Sequence, residues 1–222
     1  MEPLDDEQVR VLGSLVEKEA TVPDSYPLTL NALRQACNQS SSRDPVVSYD
    51  ELTVQSALDH LKAAGLVRFV HPSHGERSTK FRHVVDERLG LERPELAVLA
   101  VLALRGPQSA TELRTRTERQ HPFGSPGEVE AVLRSLAERD EPLVVLLPRQ
   151  SGQRDARWAH LLGGPLDEAA REALAGQVAR PTSVPSGSGG STAERVATLE
   201  AEVAALADRL RRLEDELGIS SE

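Results

Sequence analysis

The sequence predicts a mainly α chain with small β wings, two tandem winged helix-turn-helix domains followed by a C-terminal coiled-coil helix. Three observations carry that reading. An order of three helices and two short strands occurs twice between residues 5 and 161. The third helices align stripe for stripe, Val54, Ala57, Leu58 and Leu61 against Val129, Val132, Leu133 and Leu136, and both lead into Leu-Val strands. The C-terminal segment carries apolar residues spaced alternately by three and four.

The first helix is expected to begin near Asp5, with Val9, Leu12, Leu15 and Val16 on one face. Pro23 and Pro27 break it, and a second short helix carries Leu30, Leu33 and Cys37. Residues 38–47 are polar and read as a loop. Ser48 and Glu51 have the spacing of a capping box, so the third helix should run from Ser48 to about Ala64, with Gly65 as its stop. Residues 66–70 and 80–85 read as strands around a polar loop. These elements define a first domain over residues 1–86.

The second domain, residues 87–164, repeats the order after a short connection. Pro94 is placed at the first position of a helix that ends at Gly106-Pro107. The capping boxes Ser109/Glu112 and Ser125/Glu128 start a short and a longer helix. Residues 143–147 and 156–161 read as strands around the loop 148–155.

Residues 165–190 form a Pro-, Gly- and Ser-rich linker with room for a short helix over 166–175. Within residues 191–219, opened by the box Ser191/Glu194, the residues Val196, Leu199, Val203, Leu206, Leu210, Leu213 and Leu217 form a heptad seam. The pattern favours a parallel pair of chains. Its alternative is an amphipathic helix lying on the protein's own surface.

Composition narrows the function classes. Net charge is −9, with residues 166–222 contributing −5 of it, so the part expected to fold is close to neutral. Nonspecific coating of nucleic acid needs dense positive charge and is disfavoured. A lone cysteine, Cys37, excludes an intramolecular disulfide. The acidic N-terminus lacks a signal-peptide pattern and no apolar run is long enough to span a bilayer, so a cytoplasmic protein without a membrane partner is expected. Cys37 lies on an apolar helical face, the histidines lack metal-ligand spacing, and no phosphate-cradling glycine loop or nucleophile elbow occurs. Neither enzyme activity nor a cofactor or metal is expected.

Longer motifs are spread along the chain: Glu17-Lys18, Thr21, Pro23, Tyr26 to Leu33, Ala36-Cys37-Asn38-Gln39 and Ser42 to Val46. They continue through Leu104 to Gln108, Glu112-Leu113-Arg114, Arg116, Phe123, Leu147-Pro148-Arg149 and His160-Leu161-Leu162. On these residues, over about 4–162, the chain resembles the YceH-like family of bacterial tandem winged-helix proteins, whose molecular function is unknown. The resemblance implies the fold and transfers no activity. Ser40 stands where the family's motif has a Lys, which weakens a phosphate-binding role for that loop, and Trp158 stands where a Tyr is expected.

A winged helix usually reads DNA with its third helix and a wing. Thr53, Gln55 and Ser56 could bond to base edges, but Asp50, Glu51 and Asp59 share that helix, and the second third helix begins with Glu128 and Glu130. Positive charge collects elsewhere: His71, His74, Arg77, Lys80, Arg82 and His83 in the first wing; Arg114, Arg116 and Arg119 in the second domain's short helix; Arg149, Arg154 and Arg157 in the second wing. These could contact phosphates or be solvated loop charges paired with nearby acids. The loop residues Asn38, Gln39, Arg43 and Asp44 are candidates for recognising a partner chain or a phosphate. The alternative there is an Asp-Pro turn in which Arg43 bonds nearby carbonyls. Two functions remain open: a dimeric DNA-binding regulator, or a protein-interaction scaffold that uses winged helices without DNA.

Overall fold

A computed structural model describes residues 2–70, 78–150 and 153–179. The seam from Val196 to Leu217, the box Ser191/Glu194, and the wing residues His71, His74 and Arg77 lie outside these residues.

Helix α1 (Asp6–Thr21) is opened by Asp5, whose carboxylate accepts from Gln8 N at 2.8 Å while Gln8 reaches back. Val9 to Val16 are buried on every side rather than along one stripe. The reason is position: α1 packs on α2 (Leu30–Cys37) and α3 (Glu51–Ala63), and most extensively on α5 (Arg93–Arg105). A helix enclosed all round needs no polar face there. Gly13 makes the approach possible, because a Cβ at that position would lie 3.1 Å from both Ala103 Cβ and Leu104 Cγ.

Helix α3 buries Val54, Ala57, Leu58 and Leu61, the predicted stripe. Its cap is Asp50, two residues later than expected from Ser48; the Asp50 carboxylate accepts from Thr53 N at 2.8 Å and satisfies an orphan donor of the first turn. Gly65 follows the helix at φ 73°, a left-handed conformation that a Cβ disfavours.

The first sheet has three antiparallel strands in the order β1-β3-β2: β1 (Leu28–Thr29), β2 (Val67–Val70) and β3 (Lys80–His83). Strand β1, unforeseen from the sequence, places Leu28 opposite Phe81. The expected strand over 80–85 ends at His83, and the chain turns into α4 (Val85–Leu89), where only a connection was expected. Val84 and Val85 are buried here as they would be in a strand, so apolar character alone could not separate the two.

Helix α5 begins one residue earlier than Pro94 suggested. Glu92 is its cap, with Glu95 closing the box. Ser109 caps α6 (Ala110–Arg116) in a full capping box, an arrangement worth about 1 kcal/mol. Ser125 caps α7 (Pro126–Ala137), but Glu128 turns to Gly124 N instead of closing a box. Strands β4 (Val144–Leu146) and β5 (Trp158–His160) pair with Val145 opposite Ala159, and Trp158 also bridges to Gln108. Helix α8 (Glu168–Ala179) overlaps the stretch expected over 166–175 and runs four residues further. The chain up to Arg180 forms one unit, and a single hydrophobic cluster runs from Leu4 through α1 and α5 to Leu136 and Leu162. The architecture is mainly helical with small antiparallel sheets, compatible with a winged-helix-like fold. Among the described residues no helix is long and apolar enough to cross a membrane.

Candidate functional site

The third helix presents Asp50, Glu51, Leu52, Ser56 and Asp59 to solvent. Leu52 is 80% exposed, the most exposed large apolar side chain among the described residues, and Val46 in the approach to the helix is 57% exposed. Thr53 and Gln55 are half-buried, and Gln55 Nε2 donates to Asp59 Oδ1 at 3.1 Å. Of the three proposed base readers only Ser56 is openly displayed.

Among its described residues the first wing is less basic at its surface than its composition suggests. Arg68 and Arg82 face each other across β2 and β3, a like-charge pairing that would be unfavourable alone. Glu87 of α4 resolves it, lying 2.7 Å from Arg82 Nη2 and 2.8 Å from Arg68 Nη2. Lys80 also has an interaction partner. His83, expected among the wing charges, is buried instead, with Nε2 2.7 Å from Glu19 Oε2 of α1. Sequence reasoning missed Glu19, which lies on α1, and Glu87, which stands five residues after Arg82 and reaches it because the chain turns into α4.

In the second half Arg157 is a strap. Its Nη1 donates to Pro107 O at 2.9 Å and lies 2.8 Å from Glu112 Oε2. Glu112 also accepts from Ser109 N at 2.9 Å. Burial pushes the Glu112 carboxyl up, but the Ser109 N–H and the Arg157 and Arg116 charges outweigh it and hold the group below its ordinary value. Trp158 is buried, with Nε1 3.3 Å from Glu130 Oε2. Arg114 Nε donates to Phe123 O at 3.4 Å. Arg119, Arg149 and Arg154 are exposed and make no ion pair among the described residues.

The loop over residues 38–45 serves the fold. Asn38 exchanges two hydrogen bonds of 2.8 Å with the Tyr49 backbone, and Gln39 accepts from Lys18 Nζ at 3.3 Å. Arg43 is buried: Nε donates to Ala36 O at 3.0 Å, and the two terminal nitrogens meet both oxygens of Glu17 at 3.0 and 2.6 Å. Asp44 N donates to Leu104 O at 2.9 Å, which joins the loop to the end of α5, while the Asp44 side chain stays exposed. Arg43 therefore bonds nearby carbonyls as the alternative reading held, with the Glu17 pair in addition, and its guanidinium faces inward rather than toward a partner.

Between this loop, α1, α5 and α6 lies a polar cleft of about 170 Å³ lined by Lys18, Gln39, Arg105, Arg116, Arg119 and Gln120. The sequence reading singled out several of these residues separately and did not bring them together. Cys37 is buried and its thiol pushed up to about 11, burial being the main cause, so it is not a nucleophile at neutral pH. Among the described residues no three metal-ligating side chains converge.

Residues 4–153 match the family described as "Protein of unknown function, DUF480". The chain is 48% identical over 216 residues to a UPF0502 protein of Pelobacter propionicus, covering 96% of this chain and 95% of the relative. A UPF0502 protein of Geotalea uraniireducens is 50% identical over 216 residues, with 96% and 95% covered. One from an Acidovorax species is 46% identical over 223 residues, with 98% and 96% covered.

Proposed function

We propose that this chain, which belongs to the DUF480 family of proteins of unknown function, is a non-enzymatic tandem winged-helix protein that binds a protein partner through the start of α3 and pairs with a second copy of itself through the seam over residues 191–219. The observation that carries the partner reading is the surface of α3, where a fully displayed Leu52 stands among Asp50, Glu51 and Asp59. Laid in a major groove, this face would bring three carboxylates toward phosphates. A protein surface with an apolar pocket and a basic rim suits it better. The neutralisation of Arg82 by Glu87 and of Arg157 by Glu112 supports the same reading. Two winged-helix units are supported by a repeated detail: the residues just before α2 pair with β3, and Gln108, just before α6, bridges to β5.

A photo-crosslinker at position 52 of the full chain in cells should yield one discrete protein adduct, abolished by the Glu51→Lys/Asp59→Lys double variant. The purified chain should retain no genomic DNA fragments at physiological salt. An absent adduct together with enrichment of discrete DNA sites would replace this reading with the DNA one. Arg149 and Arg154 favour that second reading, as exposed cations that could grip phosphates from the second wing. Their replacement by Ala would then weaken retention.

Self-pairing is checked by sedimentation of the full chain. A dimer is expected, and Leu206→Asp in the seam should convert it to a monomer. A monomeric wild type would remove the coiled coil.

A further inference from the structure

Cations outnumber available acids in the cleft between α1 and α6. Glu17, the carboxylate on its wall, is already bound by Arg43 and lies 3.1 Å from Lys18 Nζ. The nearest carboxylate to Arg116, Glu112, is 3.7 Å away and is held more closely by Arg157. Arg105 makes no ion pair or side-chain hydrogen bond among the described residues, and neither does Arg119. Burial, and after it the charge of Arg116, hold the Arg105 guanidinium below its ordinary value. Like charges gathered in a partly dry cleft repel one another, and an anion placed among them reverses the sign of that interaction.

Gln120 also lines the cleft. The side-chain oxygen of Gln120 is buried without a hydrogen-bond partner among the described residues, although most such groups in folded proteins have one. That oxygen is closed to solvent and does not select the occupant. The cleft's volume of about 170 Å³ is below that of drug-sized ligand sites and leaves room for a small anion.

We propose that this cleft binds a small phosphate-bearing anion, its phosphate held by Arg105, Arg116 and Arg119. Phosphate is preferred over carboxylate because three guanidinium groups suit a head with three terminal oxygens and close to two negative charges. A small molecule is preferred over a polymer because the site is a recess between helices rather than an open track. The proposal does not depend on the partner reading of α3.

The test uses the full chain, with calorimetric titration of inorganic phosphate and of glycerol 3-phosphate at constant ionic strength. Both should bind saturably, since both carry the phosphate head that the three arginines hold. Arg119→Gln, at an exposed position where folding is not at risk, should weaken both by about tenfold, as should Arg105→Gln. Arg149→Gln, outside the cleft, should change nothing. Absence of saturable binding overturns the proposal, as does an equal loss in Arg149→Gln. Displacement of bound phosphate by duplex DNA would also overturn it, assigning the cleft to a nucleic-acid backbone.

Discussion

Arg43→Ala is expected to destabilise the protein by about 3–5 kcal/mol, because it strands a carboxylate in a place where water cannot reach it well. The Arg43 side chain is fully buried and that of Glu17 is 13% exposed. The pair is bidentate, and the same guanidinium also donates to Ala36 O and Ser42 O, so its removal leaves several acceptors unmet. For a unit of this size the loss corresponds to a fall in Tm of about 6–20 °C. Glu17→Leu combined with Arg43→Met should recover most of it, since an apolar pair avoids the desolvation of both charges.

The effect has a pH signature. Burial pushes the Glu17 carboxyl upward, but its hydrogen bond to Arg43, the Arg43 charge and then Lys18 overcome this and hold it below the usual carboxylate range. A depressed acid contributes stability that is fully present above its unfolded value, near 4.3, and is lost as pH falls through its folded value. In Arg43→Ala burial acts alone and Glu17 takes up a proton more readily. The stability gap between wild type and variant should therefore be widest at pH 7 and narrow toward pH 4 in urea titrations. A gap that stays constant with pH would show that Arg43 acts through packing rather than through its charge.

Gly13→Leu is expected to cost about 3 kcal/mol, at the upper end for overpacking a core. The first added carbon already falls 3.1 Å from Ala103 Cβ and Leu104 Cγ, and the side chain beyond it has nowhere to go but into α5. Gly13→Ala should stay within about 1 kcal/mol of wild type, because the gain in helix propensity offsets a small displacement of Leu104. The Leu variant should also divide the thermal transition into two, as it prises α1 from α5 where the shared core is continuous. A single transition at unchanged temperature would mean that the helices do not depend on this close approach.

The helix stripes and caps were legible in the sequence wherever their causes are local. Asp5 and Ser109 cap the helices they were expected to start, and every residue of the Val54 to Leu61 stripe is buried. The cap of α3 was misplaced because Ser48 and Asp50 both stand three residues ahead of a suitable partner, and only the backbone path decides between them. Helix α4 was hidden because a short apolar run suits a strand and a helical turn equally. The candidate site was the least legible. Glu17 and Arg43 are 26 residues apart, and Arg157 and Glu112 are 45 apart, so the neutralisation of these cations is a tertiary event. The cleft draws on α1, α5 and α6 and on the chain beyond α6, and no spacing rule connects Lys18 with Gln120.

The shared core has one more consequence. Because α1 and α5 lie in one apolar cluster, α3 and α7 are carried on a common frame rather than on independently swinging parts. A target that engages both surfaces would meet the second as an intramolecular event, with no linker entropy to overcome, and avidity would follow from geometry alone. A target whose two epitopes have the wrong spacing would gain nothing from the second surface. The interval between the helices would then act as a ruler, selecting partners by distance as well as by chemistry.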